Sequence, residues 1–115
     1  MRHLKKGRKF GRTRNKRNAL IKSLIAACLA RGAIRTTEAK AKEMRSVLER
    51  VITRAKNPTL ANRRLLRRTL TQAMTQKAVT RAAGIARTSG YTRITKLGAR
   101  KSDGAAMAMI ELLAS

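Results

Sequence analysis

The sequence predicts a two-layer α+β single domain over residues 18–115, preceded by a basic extension over residues 1–17. Three observations carry that prediction. Apolar residues recur at three- and four-residue spacing in separate segments between 19 and 87, as in helices that bury one face. One short β-branched run and two longer runs near the C-terminus read as strands. Finally, nine of the first seventeen residues are Lys or Arg, none is acidic, and only Met1, Leu4 and Phe10 could enter a core. Such a segment cannot offset backbone ordering of roughly 1–2 kcal/mol per residue, so it reads as an arm outside the packed body. Helix, short strand, three helices and a closing two-strand hairpin, in that order, make two layers.

The first helix is marked by Leu20, Ile21, Leu24, Ile25, Cys28 and Leu29 on one stripe. Gly32 supplies its stop, because glycine takes the left-handed conformation without steric cost. Cys28 lies in that stripe and reads as a small core residue. AIRTT, residues 33–37, is a brief strand, after which Thr36 or Thr37 caps the second helix and Glu38 sits in its first turn. Met44, Val47, Leu48, Val51, Ile52 and Ala55 form the cleanest stripe in the chain, with Glu38 and Lys42 four apart on the exposed side. Asn57-Pro58 ends that helix.

A third helix is expected from about 59 to 71. Its ANRRLLRRTL places Arg63, Arg64, Arg67 and Arg68 within an arc of roughly 140° at about 100° per residue. From 74 to 87 the pattern weakens, and Ala78, Val79, Ala82, Ala83 and Ile85 indicate a short fourth helix whose end is blurred by Gly84. Segments 91–97 and 106–113 are the closing strands, joined by a basic turn holding Arg100, Lys101 and Asp103-Gly104. Neither strand alternates cleanly. There is no internal repeat.

Charge narrows the function classes. The net charge is +24, from 29 basic and five acidic residues among 115. Removing the extension leaves 20 basic against five acidic residues, +15, over 18–115, so the body is basic too. That sign and size point to a polyanion, with nucleic acid ahead of an anionic membrane surface. A lone cysteine excludes an intramolecular disulfide framework. No apolar run approaches the ~18 residues of a membrane span, and no secretory h-region follows the basic start. A mitochondrial presequence would share the Arg-rich, acid-poor composition.

Catalysis finds little material, and the chain does not read as an enzyme. His3 is the only histidine, in a segment without a carboxylate to orient it. Glu38, Glu43 and Glu49 do not share one helical face and read as surface ion-pair partners. One Cys and one His cannot build a zinc site, and glycine-rich phosphate or dinucleotide loops are absent. No cofactor and no small-molecule substrate are expected. For nucleic acid, zinc fingers and basic zippers are missing, and Phe10 and Tyr91 are too few for stacking platforms. What remains is dispersed Arg and Lys, suited to phosphates and to shape. No acid lies between Glu49 and Asp103, so the four arginines of the third helix lack nearby sequence partners and are assigned to phosphate contact. Stretched out, the extension reaches roughly 55 Å at about 3.3 Å per residue, enough to enter a crevice of folded RNA.

Three blocks then resemble the family of bacterial large-subunit ribosomal protein seventeen. They are the opening Met1-Arg2-His3 with basic residues through Arg17, the central IRTTEAKAKEMRSVLERVITRAK of residues 34–56, and the closing GYTRITKLGARKSDGAAMAMIEL of residues 90–112. Two departures stand out. Lys16 occupies a position where the family commonly has histidine, and Ala82-Ala83-Gly84-Ile85 replaces a frequent proline-arginine-aromatic sequence.

The resemblance implies a structural component of the large subunit, cytoplasmic and in the ribosome, near the peptide exit side. Its implied partners are large-subunit ribosomal RNA and neighbouring large-subunit proteins, with no membrane. It implies a helix–strand–three-helix–two-strand domain with an N-terminal extension and supplies no catalytic residue. RNA-facing positions are expected at Arg2, His3, Lys5, Lys6, Arg8, Lys9, Arg12, Arg14, Lys16 and Arg17 of the extension. Thr36, Thr37, Lys40 and Lys42 belong to the central block, and Arg93, Arg100 and Lys101 to the hairpin; the two threonines serve equally well as helix caps, and Tyr91 reads as core. A DNA-compacting nucleoid protein would tolerate the same composition without requiring the three blocks.

Overall fold

The computed structural model describes residues 14–85 and 90–113. The elements run α1 (Arg14–Arg31), β1 (Ala33–Thr37), α2 (Glu38–Ala55), α3 (Leu60–Leu66), α4 (Gln72–Ala83), β2 (Thr92–Ala99) and β3 (Ala106–Leu112). This is the expected α+β order. The three strands form one antiparallel sheet in the order β1-β3-β2, so the closing hairpin takes β1 along its β3 edge.

Local chemistry explains most of the boundaries. Arg31 ends α1 because Gly32, at φ +86°, donates its amide to the Cys28 carbonyl at 2.7 Å. A side chain at Gly32 would suffer the left-handed backbone and would also meet the Arg81 guanidinium at 3.3 Å. Thr37 leaves β1 with extended backbone, and its hydroxyl accepts the Lys40 amide at 3.3 Å, which starts α2. Thr59 and Thr71 cap α3 and α4 in the same manner.

Two helices differ from expectation. α1 reaches back to Arg14, through Arg14, Lys16 and Arg17, which the sequence reading assigns to the extension. Lys and Arg carry good helix propensity, and once the apolar stripe nucleates the helix each added residue propagates it at little cost. α3 stops at Leu66 rather than running to 71. There the chain tightens into turns, with the Thr69 and Leu70 amides both donating to Leu66 O at 3.0 and 2.8 Å. That turn buries Leu66 and Leu70 together and frees Thr71 to cap α4.

The core lies where α2 crosses the other elements. Met44, Leu48, Val51, Ile52 and Ala55 of α2 pack with Ile25, Cys28 and Leu29 of α1, Leu66 and Leu70, Ala78 and Ala82 of α4, and Ala108 and Ile110 of β3. Each large aliphatic side chain buried this way contributes about 1.5–3 kcal/mol. In β2 the register shifts between Lys96 and Gly98, where Gly98 takes φ +88°. This bulge inserts one extra residue, leaves Leu97 44% exposed, and is why β2 does not alternate.

Candidate nucleic-acid interface

The five acidic side chains are distributed unevenly over the fold, and that distribution defines the site. Glu38 binds Lys42 at 2.8 Å and Lys96 at 3.6 Å. Glu111 binds Arg93 at 2.7 Å, and Asp103 binds Arg100 at 2.6 Å. The bond from Lys42 holds the Glu38 carboxyl below its usual range, and the Arg100 guanidinium pulls Asp103 down to about 2. Glu49 turns inward from α2 and accepts the amides of Tyr91 and Thr92 at 3.2 and 3.1 Å and the Thr92 hydroxyl at 2.8 Å. Its expected role as a surface ion-pair partner is therefore replaced by a latch that fixes the start of β2 on α2. Four of the five acids thus serve the sheet or its ends.

The helical side is different. α1, α3, α4 and the turn from 67 to 70 contain no acid. α1 presents Arg14, Lys16, Arg17, Lys22 and Arg31, and α3 with its turn presents Arg63, Arg64, Arg67 and Arg68. Among the described residues, Arg64, Arg67 and Arg68 have no carboxylate within ion-pair reach. Arg63 donates from Nε to the Pro58 carbonyl at 3.3 Å, which orients its guanidinium. Arg17, Lys22 and Arg68 come together around a cleft of about 380 Å³ that also takes in Glu43. A second cleft, about 450 Å³, is walled by Arg63, Arg64 and Arg67 against the start of α4.

The expected site residues divide accordingly. Arg2, His3, Lys5, Lys6, Arg8, Lys9 and Arg12 lie outside the described residues. Arg14, Lys16 and Arg17 stand on the first turns of α1. Arg63 and Arg64 share α3, Arg67 caps it and Arg68 follows in the turn, so the four do not form one continuous helical arc. Thr36 is buried in β1 and Thr37 serves as the cap of α2, while Lys40 is half-buried on α2. Lys42, Arg93 and Arg100 each hold a carboxylate of the same chain, and Lys101 is exposed in the turn. Lys22 is not singled out by the sequence reading, although its interruption of an apolar stripe is a usable signal.

One cation of the helical side is structural. Arg81 donates from Nε to Leu29 O and from Nη2 to Ala30 O at 3.0 Å, closing the C-terminal carbonyls of α1 where the helix dipole is negative. Lys56 lies 5.1 Å from the centre of the Tyr91 ring and donates to Ile85 O at 3.1 Å. Cys28 is fully buried, and burial pushes its thiol up to about 11 against the opposing pull of Arg81, so it stays protonated and unreactive. Among the described residues no group of three or more His, Cys, Asp or Glu side chains is placed to hold a metal, and no helix is long and apolar enough to cross a membrane.

An α+β body with four of its five acids drawn to the sheet, and with none on α1, α3 or α4, has the charge distribution of a polyanion-binding domain. Residues 20–113 match the family described as Ribosomal protein L17. The chain is 45% identical to large ribosomal subunit protein bL17 of Gemmatimonas aurantiaca over 118 residues, covering all of both chains. It is 42% identical to bL17 of Rubrobacter xylanophilus, covering 98% of this chain and 96% of the relative. The bL17 of Salinibacter ruber is 44% identical over 98% of this chain, which spans 59% of that longer protein. This chain belongs to the ribosomal protein L17 family.

Proposed function

We propose that this protein is a structural constituent of the large ribosomal subunit. It binds and stabilises folded ribosomal RNA through phosphate and shape contacts, in company with neighbouring large-subunit proteins. The observation that carries the reading is that α1, α3 and α4 contain no acidic residue, on a chain of net charge +24. Like charges gathered on one side repel one another and lower the stability of the isolated body. Their use lies outside the chain, where each Lys or Arg that meets a phosphate releases a condensed counterion. A-form RNA hides its base edges in a deep major groove, so phosphates, ribose hydroxyls and overall shape are what such a surface can reach. Residues 2–12 add six further basic residues to that surface.

Sedimentation of a cell lysate at high and low magnesium, with the protein followed by mass spectrometry, tests this directly. Comigration with the isolated large subunit after the subunits part is the expected result. Loss from ribosomal fractions and recovery with chromosomal DNA would overturn it.

A further inference from the structure

We propose that the cleft between α3 and α4 takes a single unstacked purine nucleotide, so that the domain reads one base in addition to contacting phosphates. This deepens the RNA-binding reading above and rests on it. The cleft measures about 450 Å³, within the range of ~300–1,000 Å³ usual for small-ligand sites. Its α3 wall carries Arg63, Arg64 and Arg67, and its α4 wall carries Gln72 and Gln76.

The chemistry of the two walls is complementary to a nucleotide. Three guanidinium groups with no facing carboxylate among the described residues supply charge for a phosphate. Their planes also stack on bases, which compensates for the missing aromatic residues. Leu60, 66% exposed at the start of α3, adds an apolar surface that a base face would cover. Gln72 and Gln76 are four residues apart, so their amides lie on one side of α4. An amide offers a donor beside an acceptor, the pattern that pairs with adenine at N6 and N7, and an Arg fork pairs with guanine at O6 and N7. Arg63 is already held through Nε by Pro58 O, which reduces the ordering cost of binding. The neighbouring clefts fit less well. One takes Glu43 into its wall, and in the other Arg81 is committed to the end of α1.

The test compares two RNA duplexes of about 12 base pairs, one perfect and one with a single bulged adenosine, binding the full-length chain at about 0.15 M salt. Binding about tenfold tighter to the bulged duplex is expected, the size of one good amide–base pair. A Gln72→Ala, Gln76→Ala double variant should remove that preference while leaving affinity for the perfect duplex unchanged. Both glutamines are exposed, so the fold is retained. Arg63→Lys, which keeps the charge but loses the planar fork, should also reduce the preference. Equal binding of the two duplexes, or a preference that survives the double glutamine variant, overturns the nucleotide site while leaving the RNA-binding reading intact. Failure to bind either RNA overturns both.

Discussion

The sheet and the α3–α4 pair both carry several cations, yet they use them in opposite ways. On the sheet side, Lys42, Lys96, Arg93 and Arg100 each hold a carboxylate within 4 Å, and Glu49 is spent on backbone amides. On α3 and its following turn, Arg64, Arg67 and Arg68 hold none among the described residues. The difference separates charge used to finish the fold from charge that the fold itself does not use. A cation already paired gives up part of its attraction for phosphate, because binding must first part it from its carboxylate. An unpaired one has only water and counterions to lose.

The strongest way to break the comparison is through the core that both regions share. Leu48 is fully buried where α2 meets the other elements, and Leu48→Ala should cost about 2–5 kcal/mol. Denaturant titration followed by circular dichroism should show sheet and helices lost in a single transition. Separate transitions would mean that the two regions are independent bodies.

The next test acts on the partner surface. Replacing Arg63, Arg64 and Arg67 together by Ala should leave the melting midpoint of the protein nearly unchanged, since all three lie outside the core. RNA affinity should fall, and the slope of log affinity against log salt should flatten by roughly one to three, at about 0.7–0.9 for each phosphate left without an arginine. An unchanged slope would show that these arginines do not meet phosphate.

Glu49→Gln acts on the other region. The amide keeps one acceptor oxygen for hydrogen bonds that now converge on a carboxylate, so a loss of about 1–3 kcal/mol is expected with the RNA salt slope unaltered. Hydrogen exchange should report the loss first at the start of β2. By contrast, Glu111→Gln breaks an exposed pair with Arg93 and should cost less than about 1 kcal/mol.

The smallest effect is a pH dependence. Asp103 titrates at about 2 in the folded chain, lowered first by the Arg100 hydrogen bond, against 3.8 ordinarily. A carboxyl depressed by folding binds protons less readily in the native state than in the unfolded one. Its stabilisation is therefore complete above the ordinary aspartate range and fades as pH falls from about 4 towards 2. The group is fully exposed, so salt should screen the effect, and Asp103→Asn should make the acid limb of the stability curve shallower. An acid limb identical in the variant would remove Asp103 from the account.

Much of this was legible because it is local. The stripe from Met44 to Ala55, a threonine cap at 36 or 37, the stop at Gly32 and the burial of Tyr91 all follow from spacing within a few residues and from steric rules, and the structure places the cap at Thr37. The three family-like blocks were legible for the same reason. The break of α3 at Leu66 was not, since RRLLRRTL continues the helical period; it is decided by the shared burial of Leu66 and Leu70. The cleft was equally hidden, because Gln72 and Gln76 carry no charge and acquire meaning only opposite the α3 arginines.

By itself, then, the sequence determined the charge, the order of helices and strands and the family to which the chain belongs. Only the tertiary structure decided which cations are taken and which are left. Glu49 reaches Thr92 across 43 positions and Arg81 reaches Leu29 across 52. Electrostatic and hydrogen-bond energies depend on distances in space, which spacing along the chain does not contain until the core has brought those segments together.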